Sequence, residues 1–186
     1  MRSALSDRHS VVDYIDTVYA SYPNLDYYIF EGGTNDADLL GDAISDPTVL
    51  GDFDIGDFSG SYDITTFTGA MDTICYKATQ HWNPNHIGYI VAQKMGYQSN
   101  GLYDATHKNR RTYFERAMQV CAKWGIPVID LWDGCYLNPS NPACYNHNKT
   151  NQQNIDGGYL YADGQHLTAK GYDYISPMIE AWMKTI

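Results

Sequence analysis

The chain of 186 residues is 44% hydrophobic and 18% charged, a composition typical of a globular protein rather than a disordered one. It carries 22 Asp and Glu against 12 Lys and Arg, a formal net charge of −10. This charge disfavours nucleic acid and anionic membrane surfaces as partners, because both select clustered Lys and Arg. No apolar run reaches the ~20 residues of a membrane span, and MRSALSDRHS at the start lacks the apolar stretch of a signal peptide. The compartment, cytoplasmic or secreted, stays open.

In chain order, helical and strand patterns alternate. Short apolar runs bounded by turn residues predict three buried parallel strands, over residues 27–31, 87–92 and 126–131. Apolar residues at helical spacing predict four helices, whose stripes begin at Val11, Phe67, Phe114 and Tyr172. Gly125 is predicted to end the third helix, and Pro177 to kink the last. We therefore expect an α/β fold with a parallel sheet, as a single domain over residues 1–186.

A long polar loop follows each predicted strand. These loops cover residues 32–63, 93–109 and 132–166. Loops of this length inside a compact domain are usually functional, and the carboxyl ends of parallel strands are where α/β proteins place their sites.

The first loop opens with Gly32-Gly33-Thr34-Asn35-Asp36. Glycine after a strand allows positive φ or a close backbone approach, and an Asn amide can donate to a developing oxyanion. The same five residues are also typical of an ordinary turn.

The third loop closes with Asp163-Gly164-Gln165-His166. A carboxylate three residues before a histidine can accept the Nδ1 proton and leave Nε2 as a general base. A second Asp-x-x-His occurs at Asp104 and His107. The copy at 163–166 differs because it directly precedes the last predicted helix, with Thr168 as a candidate N-cap.

The four cysteines show no metal-ligand spacing. Cys75 and Cys121 lie on apolar helix faces and are expected to be buried thiols. Cys135 and Cys144 bracket a polar loop, and the sequence leaves open whether they form a disulfide or remain free. No metal or cofactor is expected.

The segments IFEGGTNDA and YADGQHLTAKGYDYI, taken together, resemble two blocks of the SGNH (GDSL-type) serine esterases. In that family Gly-x-Asn-Asp follows a central strand and Asp-x-x-His precedes the last helix. The resemblance implies a three-layer α/β/α, flavodoxin-like fold. It further implies that Asn35 is the oxyanion-hole amide, Asp163 the orienting acid and His166 the base. Gly33 would shape the turn that presents Asn35, and Asp36 would hold the loop in place.

The chain departs from the family in its nucleophile. The family's Gly-Asp-Ser block on the first strand, and the Gly block after the second, have no counterpart in this sequence. Two βα units need ~60 residues, whereas 26 residues precede Tyr27. The serines upstream of that point are expected to be caps or solvent-facing residues, namely Ser3, Ser6 and Ser10.

The sequence therefore predicts an SGNH-like domain that is incomplete at its N-terminus and nearly inactive alone. Residues 27–30 would then form an exposed apolar sheet edge, through which the chain could self-associate. Two alternatives are a non-catalytic binding or structural module and a subunit completed by another chain.

The substrate implied by the resemblance is an acyl ester, with acetylated carbohydrate as one class. Loop tyrosines could stack on a sugar ring. They are Tyr97, Tyr103, Tyr136, Tyr145, Tyr159 and Tyr161. The acidic loop over residues 52–63 lacks the spacing of a Ca²⁺ loop and is expected to be a solvated surface.

Overall fold

Strands and helices alternate along the chain, which confirms the predicted α/β class. The computed structural model describes residues 11–34, 36, 50–96 and 108–186. The strands are β1 (Tyr28–Glu31), β2 (Ile87–Val91) and β3 (Val128–Asp130). The longer helices are α1 (Val11–Ser21), α2 (Phe67–His81), α3 (Lys108–Lys123) and α6 (Ala169–Met183). Shorter helices are α4 (Leu131–Gly134), α5 (Asn151–Asp156) and a 3₁₀ turn over Pro84–His86.

The strands form one sheet in the order β1-β2-β3. β1 and β2 pair in parallel, with Tyr28 opposite Ile87 and Glu31 opposite Ile90. The amide of Tyr89 in β2 donates to the carbonyl of Pro127, just before β3, at 3.0 Å. Parallel strands joined through helices are the arrangement that the alternating sequence pattern predicts.

The residues group into two compact units. Among the described residues, the first unit comprises 11–34, 36, 50–90, 109–128 and 186, and the second comprises 91–96, 108 and 129–185. The prediction of a single domain over residues 1–186 stays a prediction.

The buried apolar residues of the first unit come from α1, α2, α3 and the strands β1 and β2. The apolar stripe of α2 predicted from the sequence is buried, and so are Phe114, Ala117 and Cys121 of the predicted α3 stripe, whereas Met118 is half-buried. Cys75 and Cys121 are both fully buried free thiols, as expected. Helix α3 ends with Gly125 at φ +67°, beside a hydrogen bond from the Ile126 amide to the Cys121 carbonyl (2.8 Å), which satisfies an end carbonyl of the helix.

A buried ion pair connects α2 to α3. Lys123 Nζ and Trp124 Nε1 both donate to Asp72 Oδ1, each at 2.8 Å. The side chains of Lys123 and Asp72 are 1% and 6% exposed. The ammonium also lies 5.3 Å from the ring centre of Phe58 and 5.2 Å from that of Tyr62. Attraction between the cation and these ring faces holds the 58–62 segment against α3.

A second cation of α3, Arg116, holds the same loop. Arg116 Nη1 donates to the Gly51 carbonyl at 2.5 Å and to Thr68 Oγ1 at 2.7 Å. Its guanidinium lies 5.8 Å from the centre of the Phe53 ring. The loop over residues 51–62 is therefore fixed at both ends by cations of one helix.

Two local features of the second unit differ from the sequence prediction. The third strand stops at Asp130, because the Asp130 carboxylate accepts from the amides of Trp132 (2.9 Å) and Asp133 (3.3 Å) and thereby begins α4. Helix α5 was not predicted at all. Its capping box, in which the side chains of Thr150 and Gln153 bond reciprocally to each other's backbone amides, is nevertheless readable in the sequence.

The sequence leaves open whether the second cysteine pair forms a disulfide, and in the structure it does not. Cys135 and Cys144 are free thiols. Cys135 Sγ donates to the Leu131 carbonyl at 2.9 Å, and Cys144 Sγ to the Tyr136 carbonyl at 3.7 Å. Burial raises the pKa of Cys135, which keeps that thiol protonated at neutral pH.

Among the described helices, none combines the length and apolar character that crossing a bilayer requires.

The Asp72 pair yields a stability prediction. We expect Asp72→Ala to lower the free energy of unfolding by about 3–5 kcal/mol, because it leaves a buried ammonium and a buried indole N–H without their carboxylate. Urea denaturation followed by tryptophan fluorescence measures this loss. Glu115→Ala is the control, since it removes the exposed pair of Glu115 with Arg111 (3.3 Å) and should cost less than about 0.5 kcal/mol. Equal losses in the two variants would contradict the assignment.

Candidate functional site

The glycine turn after β1 belongs to the first unit. The hydroxyl of Tyr89 donates to the Gly32 carbonyl at 2.6 Å, and burial raises the pKa of Tyr89 well above its usual value, so the phenol stays protonated. Gly33 is buried with φ +105°. A Cβ there would meet the rings of Phe114 and Phe67 at 3.4–3.5 Å, an ordinary contact distance. The backbone angle, rather than lack of space, therefore requires glycine.

Three predicted positions follow Gly33. Asn35 lies outside the described residues, so its role as oxyanion donor stays a prediction. Asp36 is buried, at 7% exposure, and its role in holding the loop stays a prediction. Thr34 Oγ1 is buried with no hydrogen-bond partner in the described part of the chain.

The Asp163–His166 turn lies in the second unit and has the geometry that the sequence predicts. Asp163 Oδ2 is 2.7 Å from His166 Nδ1. Asp163 Oδ1 accepts from the backbone amides of His166 (2.7 Å) and Gln165 (3.0 Å), and Gly164 turns the chain with φ +81°. The side chain of His166 is 71% exposed. With Nδ1 held by the carboxylate, Nε2 is the nitrogen that can exchange a proton with a substrate.

The chain on either side of this turn is fixed by further hydrogen bonds. The Ala162 amide donates to the His166 carbonyl at 2.9 Å. Thr168 is the N-cap of α6, as predicted, and accepts from the Gly171 amide at 3.2 Å. Its hydroxyl also donates to the Tyr159 carbonyl at 2.7 Å. At Gly171 a Cβ would lie 2.3 Å from the Leu160 carbonyl oxygen, so the helix start and residues 159–160 lie in backbone contact.

The electrostatics of the turn favour an ionised Asp163. Burial raises the pKa of this carboxyl, but the hydrogen bonds from the His166 ring and from the amides of His166 and Gln165 together outweigh burial and lower the pKa. The ionised carboxylate can accept a hydrogen bond from Nδ1–H of the ring. That arrangement is the one in which Asp orients His as a general base.

The loop tyrosines proposed for sugar stacking differ in their exposure to solvent. Tyr161 is fully buried, so the expectation that it could stack on a ligand is wrong. It is buried because its hydroxyl donates to the carbonyl of Lys94 inside the second unit. Tyr136 is 55% exposed and its hydroxyl accepts from Asn141 Nδ2 at 2.8 Å. Tyr97 and Tyr103 lie outside the described residues.

Tyr145 and Tyr159 are half-buried in the second unit. Lys149 Nζ lies 4.8 Å from the centre of the Tyr159 ring. This cation already covers part of the surface that a sugar ring would need.

A second carboxylate–imidazole contact occurs in the first unit, between α1 and α2. Asp16 Oδ1 is 2.9 Å from His81 Nε2, and Asp16 Oδ2 pairs with Lys77 Nζ at 2.5 Å. Tyr19 stacks on the His81 ring at 4.0 Å between centroids. Sequence reasoning missed this contact because 65 residues separate the partners. Because Lys77 already neutralises the Asp16 carboxylate, we assign this contact a structural role between two helices rather than a catalytic one. The other sequence candidate, Asp104 with His107, lies outside the described residues.

A cavity of about 450 Å³ in the first unit carries the acidic loop. Three carboxylates of this loop accept hydrogen bonds from the backbone two residues further on. Asp54 accepts from the Gly56 amide at 2.7 Å, Asp57 from the Ser59 amide at 2.9 Å and Asp63 from the Thr65 amide at 2.9 Å. Within residues 11–34, 36, 50–96 and 108–186, no three His, Cys, Asp or Glu side chains are grouped so as to hold a metal ion.

Comparison with known proteins identifies solved structures of similar fold. No protein-family model matches the sequence, and no curated protein matches it. A crystal structure of a protein from Lactobacillus plantarum superposes with a TM-score of 0.68 at 18% identity, over 98% of this chain and 76% of that one. A second crystal structure has a TM-score of 0.65 at 22% identity, over 99% of this chain and 74% of that one. At these identities the likeness shows the α/β fold alone.

The lowered pKa of Asp163 yields a pH prediction. Because the folded-state pKa lies below the ordinary value of 3.8, the stabilisation by this carboxylate is complete above that value and is lost as pH falls through the folded pKa. A ¹³C NMR titration of the Asp163 carboxyl should therefore give a midpoint below 3.8. In His166→Ala the midpoint should rise, because burial remains while one hydrogen bond is lost. An unchanged midpoint would show that the ring does not stabilise the carboxylate.

Proposed function

We propose that this chain is the acid–base part of an SGNH-type serine esterase that hydrolyses acyl esters. The observation that carries the proposal is the 2.7 Å contact of Asp163 Oδ2 with His166 Nδ1, on a turn whose backbone is fixed by the other carboxylate oxygen. An exposed ring with one nitrogen held by a carboxylate is the arrangement of a general base. The finer fold assignment, a three-layer α/β/α flavodoxin-like domain, belongs to the same proposal and is supported by the parallel strand order.

In the proposed reaction His166 Nε2 takes the proton of a serine hydroxyl as the serine oxygen attacks the ester carbonyl. Asp163 keeps the ring in the tautomer with Nδ1 protonated and stabilises the imidazolium that forms. His166 then protonates the departing alkoxide as the ester bond breaks, which leaves an acyl-serine. In the second half it takes a proton from the water that attacks this acyl group, and it returns the proton to the serine oxygen as the acid leaves. No Gly-Asp-Ser occurs in the 186 residues, so the proposal requires the serine from a segment outside this sequence.

The glycine turn after β1 has its own part in the proposal. Gly33 and the Tyr89–Gly32 hydrogen bond fix the backbone from which Asn35 departs. Asn35 would donate its side-chain amide to the oxyanion of the tetrahedral intermediate. Such a donor accelerates the reaction because it is already oriented before charge develops.

The sheet supports completion by a further strand. β1 lies at one end of the strand order of the described sheet. A groove of about 310 Å³ runs beside it, lined by Val11, Tyr14, Ile15, Val18 and the strand itself. An apolar groove next to an end strand can accept another strand, either one that carries the serine or that of a second copy through self-association.

The substrate class that we propose is a small acyl ester, including acetylated carbohydrate. Tyr136 supports this choice as an exposed ring whose hydroxyl is fixed by Asn141. A fixed aromatic face binds a sugar ring at low entropic cost.

The role of His166 can be tested against that of His107. In a form of the protein that carries a Gly-Asp-Ser segment, His166→Ala should lower kcat for ester hydrolysis by about 10³-fold or more, because it removes the general base. His107→Ala should retain most of the activity. Both values come from the initial rates of a chromogenic ester. Equal losses in the two variants would refute the assignment of the base.

The requirement for an added serine can be tested with a fluorophosphonate probe. This reagent labels a serine that a neighbouring base activates. We expect no label on the 186-residue chain, and labelling once a strand with its Gly-Asp-Ser is added in cis or in trans. Mass spectrometry of the adduct locates the serine. Labelling of Ser3, Ser6 or Ser10 in the short chain would contradict the proposal.

A further inference from the structure

The segment that follows β2 is joined to the Asp163–His166 turn within the second unit. The Gly96 amide donates to the Gly164 carbonyl at 3.0 Å. The buried hydroxyl of Tyr161 donates to the Lys94 carbonyl. Gln93 Nε2 donates to the Gln165 carbonyl at 3.3 Å. Of these three donors, Gln93 is the side chain that reaches the residue directly before His166.

The peptide group between Gln165 and His166 is consequently held at both of its polar atoms. Its oxygen accepts from the Gln93 amide at 3.3 Å, and its N–H donates to Asp163 Oδ1 at 2.7 Å. A trans peptide is planar, with the C=O and N–H on opposite sides. Fixing both ends therefore stops rotation of the plane and sets the direction in which the His166 side chain leaves the backbone.

We propose that Gln93 is a positioning residue for His166. It acts through the 165–166 peptide and touches no reacting atom, and the part of the inference that concerns hydrolysis rests on the proposed function. With the Gln93 hydrogen bond in place, the Nδ1–H of the His166 imidazole donates to Asp163 Oδ2. Without it, the peptide plane can rotate, the 2.7 Å contact between ring and carboxylate is made for a smaller fraction of the time, and Nε2 loses its fixed direction.

Other anchors of the turn do not replace this contact. The Gly96–Gly164 hydrogen bond holds the peptide of residues 164 and 165, one position earlier. The Tyr161 hydroxyl belongs to a residue two positions before Asp163. Loss of the Gln93 amide should therefore change the ring of His166 while the turn and α6 remain folded.

The tautomer of His166 is the measurement that separates positioning from general stability. Long-range ¹H–¹⁵N correlation of the imidazole, recorded at alkaline pH where the ring is neutral, reports which nitrogen carries the proton. In the unaltered chain we expect the proton on Nδ1. In Gln93→Leu we expect both ¹⁵N shifts to move towards a mixture of tautomers. Gln152→Leu is the matched control, because Gln152 bonds to Asp156 at 2.8 Å, away from the turn, and its ring spectrum should equal that of the unaltered chain.

Unchanged ¹⁵N shifts in Gln93→Leu would overturn the inference. If Gln93→Leu does not fold, Gln93→Asn provides the same test, because it keeps the amide but is one methylene too short to reach the Gln165 carbonyl. Shifts that move equally in the Gln152 control would also overturn it, since the effect would then not belong to this hydrogen bond.

Ester hydrolysis gives the second readout, in the form of the protein that carries the serine segment. Gln93→Leu should lower kcat about tenfold at unchanged KM, as expected when a base is misdirected and substrate binding is intact. An equal fall in Gln152→Leu would contradict the inference. If the spectra change as expected and no form of the protein hydrolyses esters, the positioning role of Gln93 stands and the proposed function fails.

Discussion

The carboxylate of Asp163 is the constraint on which the rest of the second unit's site depends. Its two oxygens do different work, since Oδ1 closes the backbone turn and Oδ2 meets the histidine ring. Because both act from one rigid group, the turn and the ring cannot be oriented independently. An Asn at this position would keep one acceptor at most, and it would lose either the turn or the ring contact. One carboxylate therefore sets both the orientation of the His166 ring and the local fold of the turn.

In the first unit, a long acidic loop is fixed against the helices α2 and α3. Cations of α3 and aromatic side chains of the loop together hold it there. Arg116 and Lys123 lie two helical turns apart on α3, and each combines a hydrogen bond or ion pair with an aromatic face of the loop. Two of the loop's own carboxylates, those of Asp54 and Asp57, instead accept from the backbone amide two residues further on. A net acidic segment thereby packs on the protein through cations of α3.

Much of this could be predicted from the sequence, and the remainder has identifiable physical causes. Apolar periodicity predicted the three strands and the four longer helices, and Asp-Gly-Gln-His followed by Thr168 predicted both the turn and the cap, because these interactions are local. The end of β3 was placed too late because a side chain, that of Asp130, competes with the strand for the next amides. Helix α5 was missed although its capping box is visible in the sequence.

Long-range partners could not be predicted at all. The Gln93 contact with Gln165 and the Asp16 contact with His81 join residues 72 and 65 positions apart. Spacing carries no information about such pairs. The burial of Tyr161 was unforeseen for the same reason, since its acceptor is the carbonyl of Lys94, 67 positions away.

Gly171 has a consequence for tracing the ancestry of this chain. Any larger residue would place its Cβ 2.3 Å from a carbonyl oxygen of the backbone, so a steric clash excludes every other residue at this position unless the backbone shifts. Asp163, His166, Thr168 and Gly171 together make a nine-residue signature in which every fixed letter has a steric or hydrogen-bonding reason. The Lactobacillus plantarum protein, whose likeness at 18% identity shows the fold alone, can be searched for this signature as an independent test of relatedness.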